Sequence, residues 1–144
     1  MRISAKAEYA LLAMMELVQA YGNHEVVSVE EIARRQRIPQ KYLVHILIQL
    51  KKNGLIESRR GFNGGYVLAR DPARVTLGDV IRAMEGPVLA LRTPAETSRH
   101  EGHGASFVFF WEAFRSQIES VLDRITMKDI HEQVTHRRSP MYYI

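Results

Sequence analysis

The most constraining feature of this chain is a doubly basic, glycine-rich turn between two short apolar runs. Leu55-Ile56-Glu57-Ser58-Arg59 comes first, then Arg60-Gly61-Phe62-Asn63-Gly64-Gly65, then Tyr66-Val67-Leu68-Ala69. Runs of this kind read as the strands of a hairpin. Three glycines at its tip fit a loop longer than two residues, where positive φ or close backbone approach is needed. Directly before it, Pro39 to Asn53 reads as one helix, opened by a first-turn proline and closed by Gly54. Leu43, Ile46, Leu47 and Leu50 recur at helical spacing and form its inner face. Gln40, Lys41, Val44, His45 and Gln49 fall on or near the opposite side. A helix with a basic, polar face, joined through a tight glycine to a basic hairpin, outlines a winged helix-turn-helix. Such a helix suits the major groove of a DNA duplex, and the hairpin tip can reach phosphates or the adjacent minor groove.

Charge is distributed in the same sense. The net charge is +4, but residues 1–82 hold 13 Lys/Arg against 8 Asp/Glu, while residues 83–144 hold 7 against 8. Within 34–60 there are 8 basic residues and one acid, Glu57. A basic run alone is usually a solvated face; one that coincides with a helix and hairpin able to follow a phosphate backbone points to nucleic acid. Tyr42 either donates its hydroxyl to a phosphate or packs its ring between helices. Lys41, His45 and Gln49 are spaced to share one stripe and to address base edges, Gln pairing with adenine and Lys or His donating to guanine. Arg59 and Arg60 suit phosphate or narrow minor-groove contacts, with Gly61, Asn63, Gly64 and Gly65 shaping the tip and Lys6 and Lys51 as further phosphate ligands.

Around this unit the sequence predicts further helices. Ser4 caps one running to about Tyr21, with Ala10, Leu11, Met14, Leu17 and Val18 on one face. Ser28-Val29-Glu30-Glu31 reads as a capping box opening a short helix to about Gln36. Thr76-Leu77-Gly78-Asp79 caps another, which ends at Gly86-Pro87. Residues 87–105 are a loop by composition, and Thr126 caps a last short helix. Between them, from Ser106, Phe107, Phe110, Trp111, Phe114, Ile118, Val121, Leu122 and Ile125 make an apolar stripe over about five turns. That stripe is either intramolecular core or the seam of a two-fold dimer, packing on its mate and on the partner's first helix.

Several function classes find no support. No apolar run approaches the roughly 18 residues of a membrane span, and the N-terminus lacks a signal-peptide core, so cytoplasmic residence is expected. With no cysteine there is no disulfide and no thiolate metal site. No phosphate-binding P-loop, G-x-S-x-G elbow or metalloprotease motif occurs, so no enzyme is expected. His100 and His103, near Glu96 and Glu101, could bind zinc or iron, but two histidines in a polar loop are more often solvated. No cofactor or metal is therefore expected.

At this point the residues resemble a known family. Ile3-Ser4 with Tyr9-Ala10-Leu11, Tyr42-Leu43, Leu47, Leu50, Asn53-Gly54-Leu55-Ile56, Ser58-Arg59-Arg60-Gly61, Gly64-Gly65-Tyr66-Val67-Leu68-Ala69 and Asp79-Val80-Ile81 are similar to the Rrf2 family of bacterial transcription regulators. The likeness is close over about residues 1–90 and looser over the long helix. It implies a homodimeric winged helix-turn-helix repressor whose long C-terminal helix dimerises. Many members hold iron–sulfur clusters through cysteines in the loop before that helix. Here the loop offers Thr93, Thr97, Ser98 and Arg99, so a cluster of that kind has no ligands. A cluster-binding branch uses an acidic residue on the recognition helix to choose between DNA sites; the matching position is Val44, so that preference does not carry over.

A narrower likeness is to the family's cysteine-metabolism repressors, through Ile81-Arg82, Glu85-Gly86-Pro87, the cysteine-free loop and the ending Met141-Tyr142-Tyr143-Ile144. It implies cysteine synthase as a partner, because a pocket built for an amino-acid carboxylate can hold a C-terminal isoleucine. The alternative is a tail packed on its own dimer. The expectation is thus a mainly α fold with a small β-hairpin: a winged helix-turn-helix over 1–86, a loop over 87–105, a dimerisation helix and short final helix over 106–135, and a tail over 136–144. Its expected partners are an operator duplex, a second copy and cysteine synthase. The alternatives are an interaction module docking Ile144 into that enzyme, and a regulator responding to a metal or another signal.

Overall fold

In a computed structural model that describes residues 2–91 and 104–138, six α-helices accompany one antiparallel hairpin. The order is α1 (Ala5–Tyr21), α2 (Val29–Gln36), α3 (Gln40–Lys52), β1 (Ile56–Arg59), β2 (Gly65–Leu68), a 3-10 turn (Pro72–Arg74), α4 (Leu77–Glu85), α5 (Gly104–Arg124) and α6 (Met127–Arg138). This is the mainly α winged-helix architecture expected. The long helix starts two residues earlier than Ser106.

Local side-chain chemistry sets most helix starts. Ser4 Oγ accepts from the Ala7 amide at 3.1 Å, and Ser28 Oγ accepts from the Glu31 amide at 3.2 Å. The expected return arm at α2 is replaced: the Glu31 carboxylate pairs with Arg35, one turn on. An i, i+4 cation competes with the backbone for that acid. Full reciprocal boxes form elsewhere. Thr76 and Asp79 exchange two bonds of 3.0 Å at α4, and Thr126 and Asp129 exchange bonds of 2.9 and 3.1 Å at α6. Pro39 lies at the N-cap of α3 rather than inside its first turn, and caps with no side-chain bond. Arg37 takes the left-handed conformation (φ 54°) in the turn between α2 and α3, a position that glycine usually fills.

α1 is the centre of packing, touching α2, α3, α4, α6 and β2. Its inner face is largely alanine: Ala7, Ala10 and Ala13 are fully buried beside Met14 and Leu17. Small side chains let the neighbouring helices approach closely. Ile32, Leu43, Leu47, Leu50, Leu55, Ile56, Val75 and Val80 complete one continuous core. The hairpin pairs Ile56 with Leu68 and Arg59 with Gly65. It docks on the body through Val27 and Tyr66, which exchange amide–carbonyl bonds of 3.0 and 2.8 Å. Gly65 is required there, because a Cβ would overlap the Val27 carbonyl.

The C-terminal helices behave differently from each other. α6, expected to be short and grouped with the dimerisation helix, has twelve residues and folds back on α1 and the 3-10 turn, with Met127 fully buried. α5 packs chiefly on α4. Arg82 joins Asp123 there, and this ion pair pushes the guanidinium pKa up. Among the described residues no helix is long and apolar enough to cross a membrane.

Candidate nucleic-acid interface

α3 presents its polar side outward because its four inner residues leave no choice. Leu43, Leu47 and Leu50 are fully buried and Ile46 nearly so. Gln40, Lys41, His45, Lys51 and Lys52 are exposed on the remaining surface. Gln49 is only half-exposed, so the proposed stripe is strongest at Lys41 and His45 and fades at Gln49. Tyr42 is 53% exposed, with the Lys41 ammonium 5.1 Å from its ring centre. Of the two readings of this residue, the ring packed between helices does not occur. Lys6, from α1, lines a shallow cleft with Tyr9, Tyr42 and His45, and so flanks the start of α3. Gln40 is partly engaged, donating to Glu30 at 3.4 Å.

The wing stands beside this helix. Lys51 Nζ donates to Ser58 Oγ at 2.8 Å and ties the end of α3 to β1. Lys51 therefore bridges helix and wing. Arg59 is paired with Glu57 at 3.1 Å, but both side chains are about half-exposed, and a phosphate can displace a screened surface pair of this kind. Arg60 is exposed and makes no ion pair among the described residues. The turn is built by glycine: Gly61 has φ 122°, its carbonyl accepts the Gly64 amide at 3.0 Å, and a Cβ on Gly64 would come within 2.7 Å of the Arg59 carbonyl. Asn63 is exposed at the tip, and Phe62 beside it is fully so, at 105%.

α2 is tied to α1 by a buried acid that sequence reasoning missed. Glu16 of α1 is 7% exposed and accepts from Arg35 at 3.2 Å and from Gln36. The hydrogen bond that Arg35 donates to the Glu16 carboxylate is the main cause raising the Arg35 pKa. The partners lie 19 and 20 residues away, so only the folded arrangement of α1 and α2 reveals them.

A winged helix with a basic recognition face is common to many regulators, and comparison with known proteins decides among them. The Rrf2 profile, described as an iron-dependent transcriptional regulator, matches residues 3–133. The chain belongs to the Rrf2 family. It is 37% identical over 131 residues to Rv1287 of Mycobacterium tuberculosis, spanning 90% of this chain and 81% of that protein. It is 33% identical over the full length of both chains to the HTH-type transcriptional regulator CymR of Bacillus subtilis. The structure of CymR, the global cysteine regulator of B. subtilis, superposes with a TM-score of 0.75 at 32% identity, covering 92% of this chain and 98% of that one. T. potens IscR superposes at 0.72 with 35% identity, covering 96% and 91%. This Rrf2 protein is thus an HTH-type transcriptional regulator.

Iron enters only through the family's description, and the donor set can be tested against it. The chain has no cysteine, so an iron–sulfur cluster held by thiolates does not fit. Among the described residues no group of three or more His, Asp or Glu is placed to hold a metal ion. His100 and His103 lie outside the described residues, as do Met141, Tyr142, Tyr143 and Ile144.

The other predicted cluster, on α5, is left largely uncovered by the described residues. Phe107, Phe110, Phe114 and Val121 are exposed, Phe110 at 63%, while Trp111, Ile118, Leu122 and Ile125 are half-buried. Phe109, absent from the predicted stripe, is exposed at 82%. Trp111 donates its indole N–H to the Leu89 carbonyl at 3.0 Å, and Phe110 lies parallel to Phe114 at 6.4 Å.

Proposed function

We propose that the protein is a homodimeric repressor that binds operator DNA through α3 and the wing and controls genes of cysteine or sulfur metabolism. The observation that carries the DNA-binding part is that Lys41 and His45 are exposed on α3 while Lys51, at the end of that helix, is bonded to Ser58 in the strand that leads to the exposed Arg59 and Arg60. Lys6, Gln40, Tyr42 and Gln49 flank that face; Gly61, Asn63, Gly64 and Gly65 shape the wing tip. The uncovered aromatic surface of α5 supports dimerisation, since so large an apolar patch on a regulator marks an interface. Two copies related by a two-fold axis address two half-sites.

The cysteine assignment rests on the full-length likeness to CymR together with the cysteine-free chain. In this reading Met141–Ile144 docks into cysteine synthase, which serves as the co-repressor. The test is a capture experiment from native extract, run with the intact protein and with a version lacking Met141–Ile144. Capture of cysteine synthase by the intact chain alone is the expected result. Equal capture by both versions, or none, assigns the tail to the dimer and leaves the signal of this regulator to be found elsewhere.

A further inference from the structure

The outward face of α3 is not uniformly polar. Val44 is 38% exposed and Ile48, one turn later at i+4, is 52% exposed. Lys41, His45 and Lys52 are exposed around them. Neither residue is explained by the fold. Both lie off the inner face formed by Leu43, Ile46, Leu47 and Leu50, and β-branched residues are mediocre helix formers where packing does not decide. Nor is the pair continuous enough for a protein interface, because cations surround it.

Cations around two stiff apolar side chains match one surface well. The major groove is walled by phosphates, and the only apolar group on its floor is the C5 methyl of thymine. We propose that Val44 and Ile48 read thymine methyl groups in each operator half-site, so that part of the sequence preference is apolar and needs no hydrogen bond. The idea rests on α3 being the recognition helix, as argued above. It adds a chemistry that Lys41, His45 and Gln49 cannot supply: these see donors and acceptors, whereas Val44 and Ile48 see shape. Their branched Cβ atoms hold χ1 nearly fixed, so little rotamer freedom is lost on contact.

The experiment separates this inference from the reading beneath it. Binding sites are first selected from a random duplex pool with the full-length protein. Each thymine in a recovered site is then replaced by deoxyuridine, which removes the methyl and leaves every hydrogen-bonding group in place. The expected result is a loss of about fourfold in affinity per contacted methyl, equivalent to about 0.8 kcal/mol for one methyl-sized group removed from water. The double variant Val44→Ala with Ile48→Ala should still bind but treat thymine and uracil duplexes alike; both positions are exposed, so its fold should persist. Wild-type protein indifferent to uracil everywhere, or a double variant as sensitive as wild type, overturns the inference while the DNA-binding reading stands. A selection that recovers no site overturns both.

Discussion

α1 and α5 are the two longest helices, and they solve the problem of apolar surface in opposite ways. α1 buries a face of alanines with Met14 and Leu17 under five other elements of its own chain. α5 carries larger side chains, Phe107, Phe109, Phe110 and Phe114, and leaves them in contact with solvent. Fully burying a phenylalanine is worth about 1.5–3 kcal/mol, so the exposed parts of these four rings represent a favourable term that the described residues leave unused. The difference teaches that α1 finds its partners within the chain, Met127 of α6 joining the same core, whereas α5 leaves apolar surface that the proposed dimer would cover. Substitutions should therefore separate cleanly into those that unfold the protomer and those that disassemble it.

The largest effect should come from the first class. Leu47 is fully buried where α3 meets the core, and Leu47→Ala should cost about 2–5 kcal/mol of stability by chemical denaturation. Phe110→Asp combined with Phe114→Asp should do the reverse. Secondary structure and protomer stability should change little, while sedimentation should show monomers. Operator affinity should then fall by roughly a hundredfold, because a monomer holds one half-site without the second. If the double variant instead melts like Leu47→Ala, α5 belongs to the protomer core and the contrast is wrong.

Most of the fold was legible because it is written locally. Ser4, Thr76 and Thr126 start helices by bonding amides three residues away, a signal that needs no knowledge of the rest of the chain. The winged-helix outline followed from the spacing of Leu43, Ile46, Leu47 and Leu50 and from the glycines of the turn. Errors appeared where a side chain had two partners to choose from. Glu31 has Arg35 one turn on and takes it instead of closing its capping box. Glu16 was silent in the sequence because its partners come from another helix. In the candidate site, Lys41, Arg59 and Arg60 carry charge and His45 is polar, so they announce themselves. Ile48 and Phe62 do not; the only trace of Ile48 is that it breaks the spacing of the inner face, and an apolar letter does not say which side it is on.

The contrast can be sharpened inside the winged domain as well. Gly65 lies under the Val27 carbonyl, so Gly65→Ala should force the wing away from Val27 at a cost of about 1–3 kcal/mol, and should weaken DNA binding in proportion. Equilibrium denaturation beside operator titration checks both. Arg60→Ala should leave stability unchanged, because this side chain is exposed and makes no ion pair among the described residues. It should weaken binding to all duplexes alike and reduce the slope of log affinity against log salt by about 0.9, one phosphate's worth of counterion release. An unchanged slope would take the wing away from the DNA.

The smallest effect tests the joint between the two regions. Asp129 caps α6 directly after α5, its carboxylate accepting from the Thr126 amide beside the Thr126 hydroxyl, and these contacts hold its pKa below the usual aspartate value. A carboxyl whose pKa is depressed on folding stabilises the folded state above its unfolded pKa, and loses that contribution as pH falls through the folded value. Wild type should therefore melt slightly above Asp129→Asn at neutral pH, and the gap should close in acid. Asp129 is exposed, so the difference will be small. Its location matters more than its size, because Thr126 is bridged to Thr76, the cap of α4. Loss of the Asp129 cap should fray the turn that sets the angle of α5 against α4. Hydrogen exchange would then rise at Met127 and Lys128 ahead of global unfolding, while Leu43 and Leu47 stay protected. If exchange rises everywhere together, α5, α6 and the winged core are one cooperative unit, and the division drawn from α1 and α5 holds for surfaces but not for stability.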